Sequence, residues 1–107
     1  MYGLSDLTIN DLRKVFSKYQ NIKKVVIFGS RAKGNYREGS DIDLAVIGDG
    51  ISRAQITDIC LKIEDLGLLY KVDVLDYYKY KDTPIGEHIA RVAKPFYEQI
   101  VPLLTSS

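Results

Sequence analysis

Apolar and polar residues alternate along the chain with two different periods, and the period changes mark out the elements. Leu12, Val15, Phe16 and Tyr19 stand at i, i+3, i+4 and i+7, which predicts a helix over 5–19 with Ser5 or Asp6 as its cap. A short aliphatic strand, "KKVVIFG" (23–29), stops at Gly29, and a second, "SDIDLAVIG" (40–48), stops at Gly48. A polar loop joins them, with room for a helical turn after Ser30. Ile56, Ile59, Cys60, Ile63 and Leu66 give 53–66 one apolar helical face, with Ser52 as cap and Gly67 as stop signal. "YKVDVLDY" (70–77) reads as a third strand and "YKYKDTP" as a polar connection. Thr83-Pro84 then reads as cap and first residue of a last helix. That helix carries Ile85, Ile89, Val92, Ala93, Phe96 and Ile100, with Pro95 kinking or dividing it near 93–94.

The predicted order is α-β-(α)-β-α-β-α. It gives an α/β or α+β class, a small sheet flanked by helices. The pattern leaves parallel and antiparallel pairing open. A chain of 107 residues fits a single domain spanning 1–107.

Composition narrows the function classes. The sequence is 46% hydrophobic and 27% charged, as in soluble globular proteins. Its formal net charge is +1, from 15 basic and 14 acidic residues. That balance argues against a protein built to grip nucleic acid by its backbone, and leaves room for a local phosphate site. The one cysteine, Cys60, lies on the apolar face of its helix and reads as a structural thiol. The opening residues lack a signal-peptide pattern, and no apolar run reaches the ~20 residues that span a bilayer. A cytoplasmic setting is the expectation.

Against that background the second strand is odd, because an aliphatic segment carries Asp41 and Asp43. Side chains on a strand alternate faces. Asp41, Asp43, Ala45 and Ile47 therefore share one face, and Ile42, Leu44 and Val46 take the core side. In the third strand Asp73 goes with Leu75, opposite Val72, Val74 and Asp76. Neighbouring second and third strands would bring three carboxylates together. Their mutual repulsion would raise pKa values, and a divalent cation would relieve it. Mg²⁺ is bound through oxygen ligands at ~2.0–2.1 Å, often a few carboxylates plus substrate phosphates. A pair of such ions can clamp the attacking and leaving oxygens of an in-line displacement. Read alone, Asp41 at a solvated strand end and Asp43 and Asp73 as edge residues are ordinary. Gly29-Ser30 shifts the balance. Directly after the first strand, it offers backbone N–H groups and a hydroxyl to an anion, with Arg31 and Lys33 adding positive charge.

Gly29-Ser30, ten residues, then Asp41-x-Asp43 resembles the GS-x10-D-x-D signature of the DNA polymerase β-like nucleotidyltransferases. The chain is similar to their smallest branch, the minimal nucleotidyltransferases, over roughly 22–100. The resemblance implies that fold, with a small mixed sheet. It implies that Gly29 and Ser30 hold a nucleoside triphosphate, with Arg31 and Lys33 as further phosphate contacts. Asp41, Asp43 and Asp73 would be the catalytic metal ligands for two Mg²⁺ ions. Asp73 would also help deprotonate the attacking hydroxyl. The reaction would transfer AMP from ATP, or NMP from another NTP, and release pyrophosphate. Members of this branch pair with HEPN-domain toxins as antitoxins and add AMP to a tyrosine of the toxin, so a HEPN partner is implied. Larger relatives carry extra domains to hold the acceptor. The short chain leaves little for that, which fits choice of acceptor through a partner. Two other readings stand beside this one: nucleotidylation of a small molecule, and a non-catalytic module that neutralises a partner by contact.

The remaining features have plainer readings. "DYYKYK" (76–81) interleaves tyrosine with lysine, a pattern that can stack on bases, contact a partner, or simply end a strand in solvent. His88, the only histidine, reads as a surface helix residue. The apolar "PFYEQIVPLL" suits core packing first and a homodimer or heteromer interface second. No direct nucleic-acid contact and no membrane contact are expected.

Overall fold

The computed structural model describes residues 1–37 and 39–100. Its elements run α1 (Asp6–Ser17), β1 (Ile22–Phe28), α2 (Gly29–Lys33), β2 (Ile42–Gly48), α3 (Arg53–Glu64), β3 (Val72–Asp76), α4 (Tyr77–Tyr80), α5 (Pro84–Val92) and β4 (Lys94–Glu98). The strands form one mixed sheet in the order β3-β2-β1-β4. β1 pairs antiparallel with β2 and β4, whereas β2 and β3 run parallel, joined through α3.

The caps explain why the helices begin where they do. Ser5, Ser52 and Thr83 each accept a hydrogen bond from the backbone N–H three residues on, and Pro84 opens α5. α1 and α3 cover one sheet face. There Leu12, Phe16, Ile59 and Ile63 pack on Val25, Ile27, Leu44 and Val46. α5 covers the other face, where Ile89 meets Val26, Phe28 and Ala45. Strand alternation thus feeds two cores. Ile42, Leu44 and Val46 turn to the first, and Ala45 to the second.

Two expectations fail. The helix expected to continue through Phe96 to Ile100 ends at Val92, and 94–98 form an edge strand on β1. Pro95 is the reason. It has no N–H for a helical bond and pushes the preceding residues to extended backbone, with Ala93 already at ψ 146°. The strand buries Phe96 and pairs the edge of β1 that would otherwise lie open. The stretch Tyr77–Tyr80, expected as the end of the third strand and the start of the polar connection, is instead a short helix. Asp76 caps it by accepting from the Tyr78 N–H, so β3 stops at Asp76 rather than at residue 77. The sequence 101–107, with the end of "PFYEQIVPLL", lies outside the described residues.

No helix among the described residues is long and apolar enough to cross a membrane.

Candidate active site

The strand register decides what the carboxylates can do. In the parallel β2–β3 ladder Asp43 stands directly opposite Asp73, so the two side chains share the face that also carries Ala45 and Leu75. Asp41 lies just before β2 and is exposed, while Asp43 and Asp73 are partly buried. On its other side Asp43 pairs with Phe28, the last residue of β1. The chain turns there into α2, so β1, β2 and β3 bring Gly29, Asp43 and Asp73 to one end of the sheet.

Gly29 is fitted to Asp43. Its φ is +74°, a left-handed conformation that side chains disfavour, and an added Cβ would land on the Asp43 Oδ2. The glycine is what lets backbone and carboxylate approach so closely. Ser30 and Lys33 follow on α2, Ser30 partly buried and Lys33 exposed.

The Asp43 carboxyl is held above the usual carboxylate range. Burial is the first cause, the negative charges of Asp73 and then Asp41 add to it, and Lys71 opposes them. The corner therefore holds converging negative charge with one ammonium group nearby. Among the described residues, no three of its side chains are drawn together as a closed metal cluster. The chemistry of the donor set fits a hard divalent cation all the same. Three carboxylates supply oxygen ligands, two of them in one register pair, and Gly29 lets the backbone lie close against Asp43.

Arg31 does not act as the sequence led us to expect. It is only 2% exposed, so a surface contact to phosphate is closed to it. Its Nε and Nη2 donate to the Ser40 carbonyl at 3.1 and 2.8 Å, and Nη1 donates to the Tyr2 carbonyl at 2.9 Å. Lys71 was missed. It stands two residues before Asp73, and that spacing on a strand was the available signal. Cys60 is partly buried against the α1–α3 core, its thiol pKa pushed up by burial and by Asp73. His88 lies on α5 and joins no metal-ligating group among the described residues. A groove of about 860 Å³ runs between α1 and β4, away from Asp41, Asp43 and Asp73, and is lined in part by Leu7, Pro95 and Ile100.

With this geometry in hand, comparison with known proteins is direct. Residues 10–100 match the family described as "Polymerase beta, Nucleotidyltransferase". The chain belongs to that family. Over 48 residues it is 46% identical to a protein of Methanocaldococcus jannaschii named as a "putative protein adenylyltransferase". That match covers 44% of this chain and 47% of the relative, so it spans about half the relative's length.

Solved structures share the fold. One is a toxin–antitoxin crystallised with AMP-PNP: TM-score 0.68, 21% identity, covering 90% of this chain and 75% of that one. Another is a tri-AMPylated Shewanella oneidensis HEPN toxin in complex with MNT antitoxin: TM-score 0.66, 19% identity, covering 92% and 74%. A nucleotidyltransferase structure from Sulfolobus solfataricus, also named as putative, aligns at TM-score 0.54 and 23% identity over 91% and 92%.

Proposed function

We propose that this chain transfers AMP from ATP to a hydroxyl of a partner protein, a tyrosine of a HEPN-domain toxin, and so serves as its antitoxin in the cytoplasm. The observation that carries the chemistry is the register pair Asp43–Asp73, with Asp43 packed against Gly29. The name of the relative matched over about half its length and the toxin–antitoxin neighbours support the choice of a protein acceptor.

The residues divide the work. Asp41, Asp43 and Asp73 are the carboxylates that would hold Mg²⁺. When bound, the ions would polarise the α-phosphoryl group and neutralise charge on the leaving pyrophosphate. Gly29 and Ser30 offer N–H and O–H groups to the triphosphate, and exposed Lys33 adds a cation at the end of α2. The acceptor oxygen attacks the α-phosphorus as the bridging bond to the β-phosphate breaks. Pyrophosphate leaves, and Asp73 takes the hydroxyl proton. Little covalent chemistry falls to the protein, so positioning and charge carry the rate.

The test is incubation of the purified chain with α-labelled ATP, MgCl₂ and a HEPN-domain protein encoded beside it. Label should appear on a tyrosine of that partner. Absence of label with each of the four NTPs overturns the reading, and label on a small molecule alone overturns the protein acceptor.

A further inference from the structure

The geometry points to Arg31 as a positioning residue for Asp41, acting through the backbone and not on phosphate. This rests on the reading above that Asp41 helps hold the metal. Arg31 departs from α2 into the protein, and its guanidinium closes three separate segments onto one another. Two of its N–H groups converge on the carbonyl of Ser40, the residue immediately before Asp41. A third reaches the Tyr2 carbonyl in the N-terminal turn. The group also lies 5.1 Å from the ring of Tyr36, in the loop, and 4.9 Å from the ring of Tyr70, just ahead of Asp73.

Each contact has a physical consequence. A planar fork of donors can fix a carbonyl in direction as well as distance, which a point charge cannot. Aromatic rings within about 6 Å add attraction and restrict the guanidinium's motion. The clamp leaves no buried side-chain polar atom without a partner among the described residues. Ser40 is further pinned because its hydroxyl accepts from the Arg37 N–H at 2.8 Å, and its own N–H donates to the Arg37 carbonyl. Gly3 completes the lock. With φ +73°, a conformation that side chains disfavour, and no Cβ, it lets the N-terminal turn lie against the Tyr36 ring. The exposed Asp41 thus hangs from a backbone point with no slack. Asp43 has strand pairing on both sides and needs no such clamp.

The probe is Mn²⁺ alone, titrated by electron paramagnetic resonance against the metal-free chain, beside steady-state transfer kinetics and thermal melts. Arg31→Met should weaken Mn²⁺ binding about tenfold or more and lower kcat by a similar factor, as lost support of a ligand does. The KM for ATP should stay unchanged. Arg31→Lys, able to reach one carbonyl, should recover part of the loss. A raised KM with unchanged Mn²⁺ affinity would mean a phosphate contact and overturns the inference. A lowered melting temperature with Mn²⁺ affinity and kcat intact overturns it as well. Should Arg31→Met fail to fold, Tyr70→Leu loosens the clamp while keeping the guanidinium. Its Mn²⁺ affinity must fall by a smaller factor, and no change there overturns the proposal. If the wild-type chain transfers no label yet Arg31→Met weakens Mn²⁺ binding, the transfer reading fails and the positioning role stands.

Discussion

Asp43 and Asp58 are the same side chain placed in two different surroundings with opposite results. Asp58 lies on the solvent side of α3, where Lys62 stands 2.7 Å away at i+4 and the Tyr19 hydroxyl from the end of α1 also donates to it. The hydrogen bond from Lys62 comes first, then that from Tyr19, and together they hold its carboxyl below the usual range. Asp43 sits half-buried with Asp73 across the ladder and Asp41 two residues back, and its carboxyl is held above that range. One site has its charges matched by the chain. The other leaves a charge for a ligand to match, which is why the proposed function is placed there and not at Asp58.

Removing the unmatched charge should give the largest effect. Asp43→Asn should lower nucleotidyl transfer by about a thousandfold, on the scale seen when a transition-state contact is lost. It should also raise the stability of the metal-free chain modestly, because it removes a partly buried charge and its repulsion from Asp73 and Asp41. Kinetics with labelled ATP and a urea unfolding curve check the two halves. A variant both inactive and less stable would break the contrast with Asp58.

A smaller effect tests the cradle rather than the charge. Gly29→Ala leaves all three carboxylates in place but forces a side chain into the left-handed region, at about 1–2 kcal/mol. It also drives a methyl group onto Asp43. Activity should fall about a hundredfold, the scale of a reacting group moved by roughly 1 Å. Wild-type turnover in this variant would show that Asp43 does not depend on its close approach to Gly29.

How much of this could be read from the sequence follows from how local each signal is. The alternation around Asp43 and Asp73 placed both on one face, and their caps and periodicity set the helices, because these depend on residues a few positions apart. The parallel β2–β3 register depends on the α3 crossover and had no local signature. Phe96 misled because its spacing from Ile89 and Val92 fits a helix, while Pro95 and the open edge of β1 favoured a strand. Arg31 misled for a similar reason. Its charge beside Gly29-Ser30 suggested phosphate, but its partners Tyr2, Ser40 and Tyr70 come from three distant places in the chain.

The finest test of the comparison is pH, because the two aspartates should push stability in opposite directions. Asp43 has a folded pKa above its unfolded value of about 3.9. Between the two values the folded chain holds more protons than the unfolded one, so its contribution to stability falls as pH rises through that window. Asp58 has a folded pKa below its unfolded value, so its contribution is present above the unfolded value and is lost as pH falls through the folded one. Urea midpoints of the metal-free chain, measured from acid to neutral pH, should therefore separate in two variants. Asp43→Asn should remove the decline on the upper side of the ordinary aspartate range. Asp58→Asn should remove only a small rise on the lower side, since that pair is exposed and screened by solvent, and should leave activity unchanged. Mg²⁺ should flatten the Asp43 limb and leave the Asp58 limb alone, because only the first carboxylate is left for a cation to match. Parallel pH profiles for wild type and Asp43→Asn would mean that neither burial nor the charges of its neighbours raise the Asp43 pKa, and the distinction between the two sites would collapse.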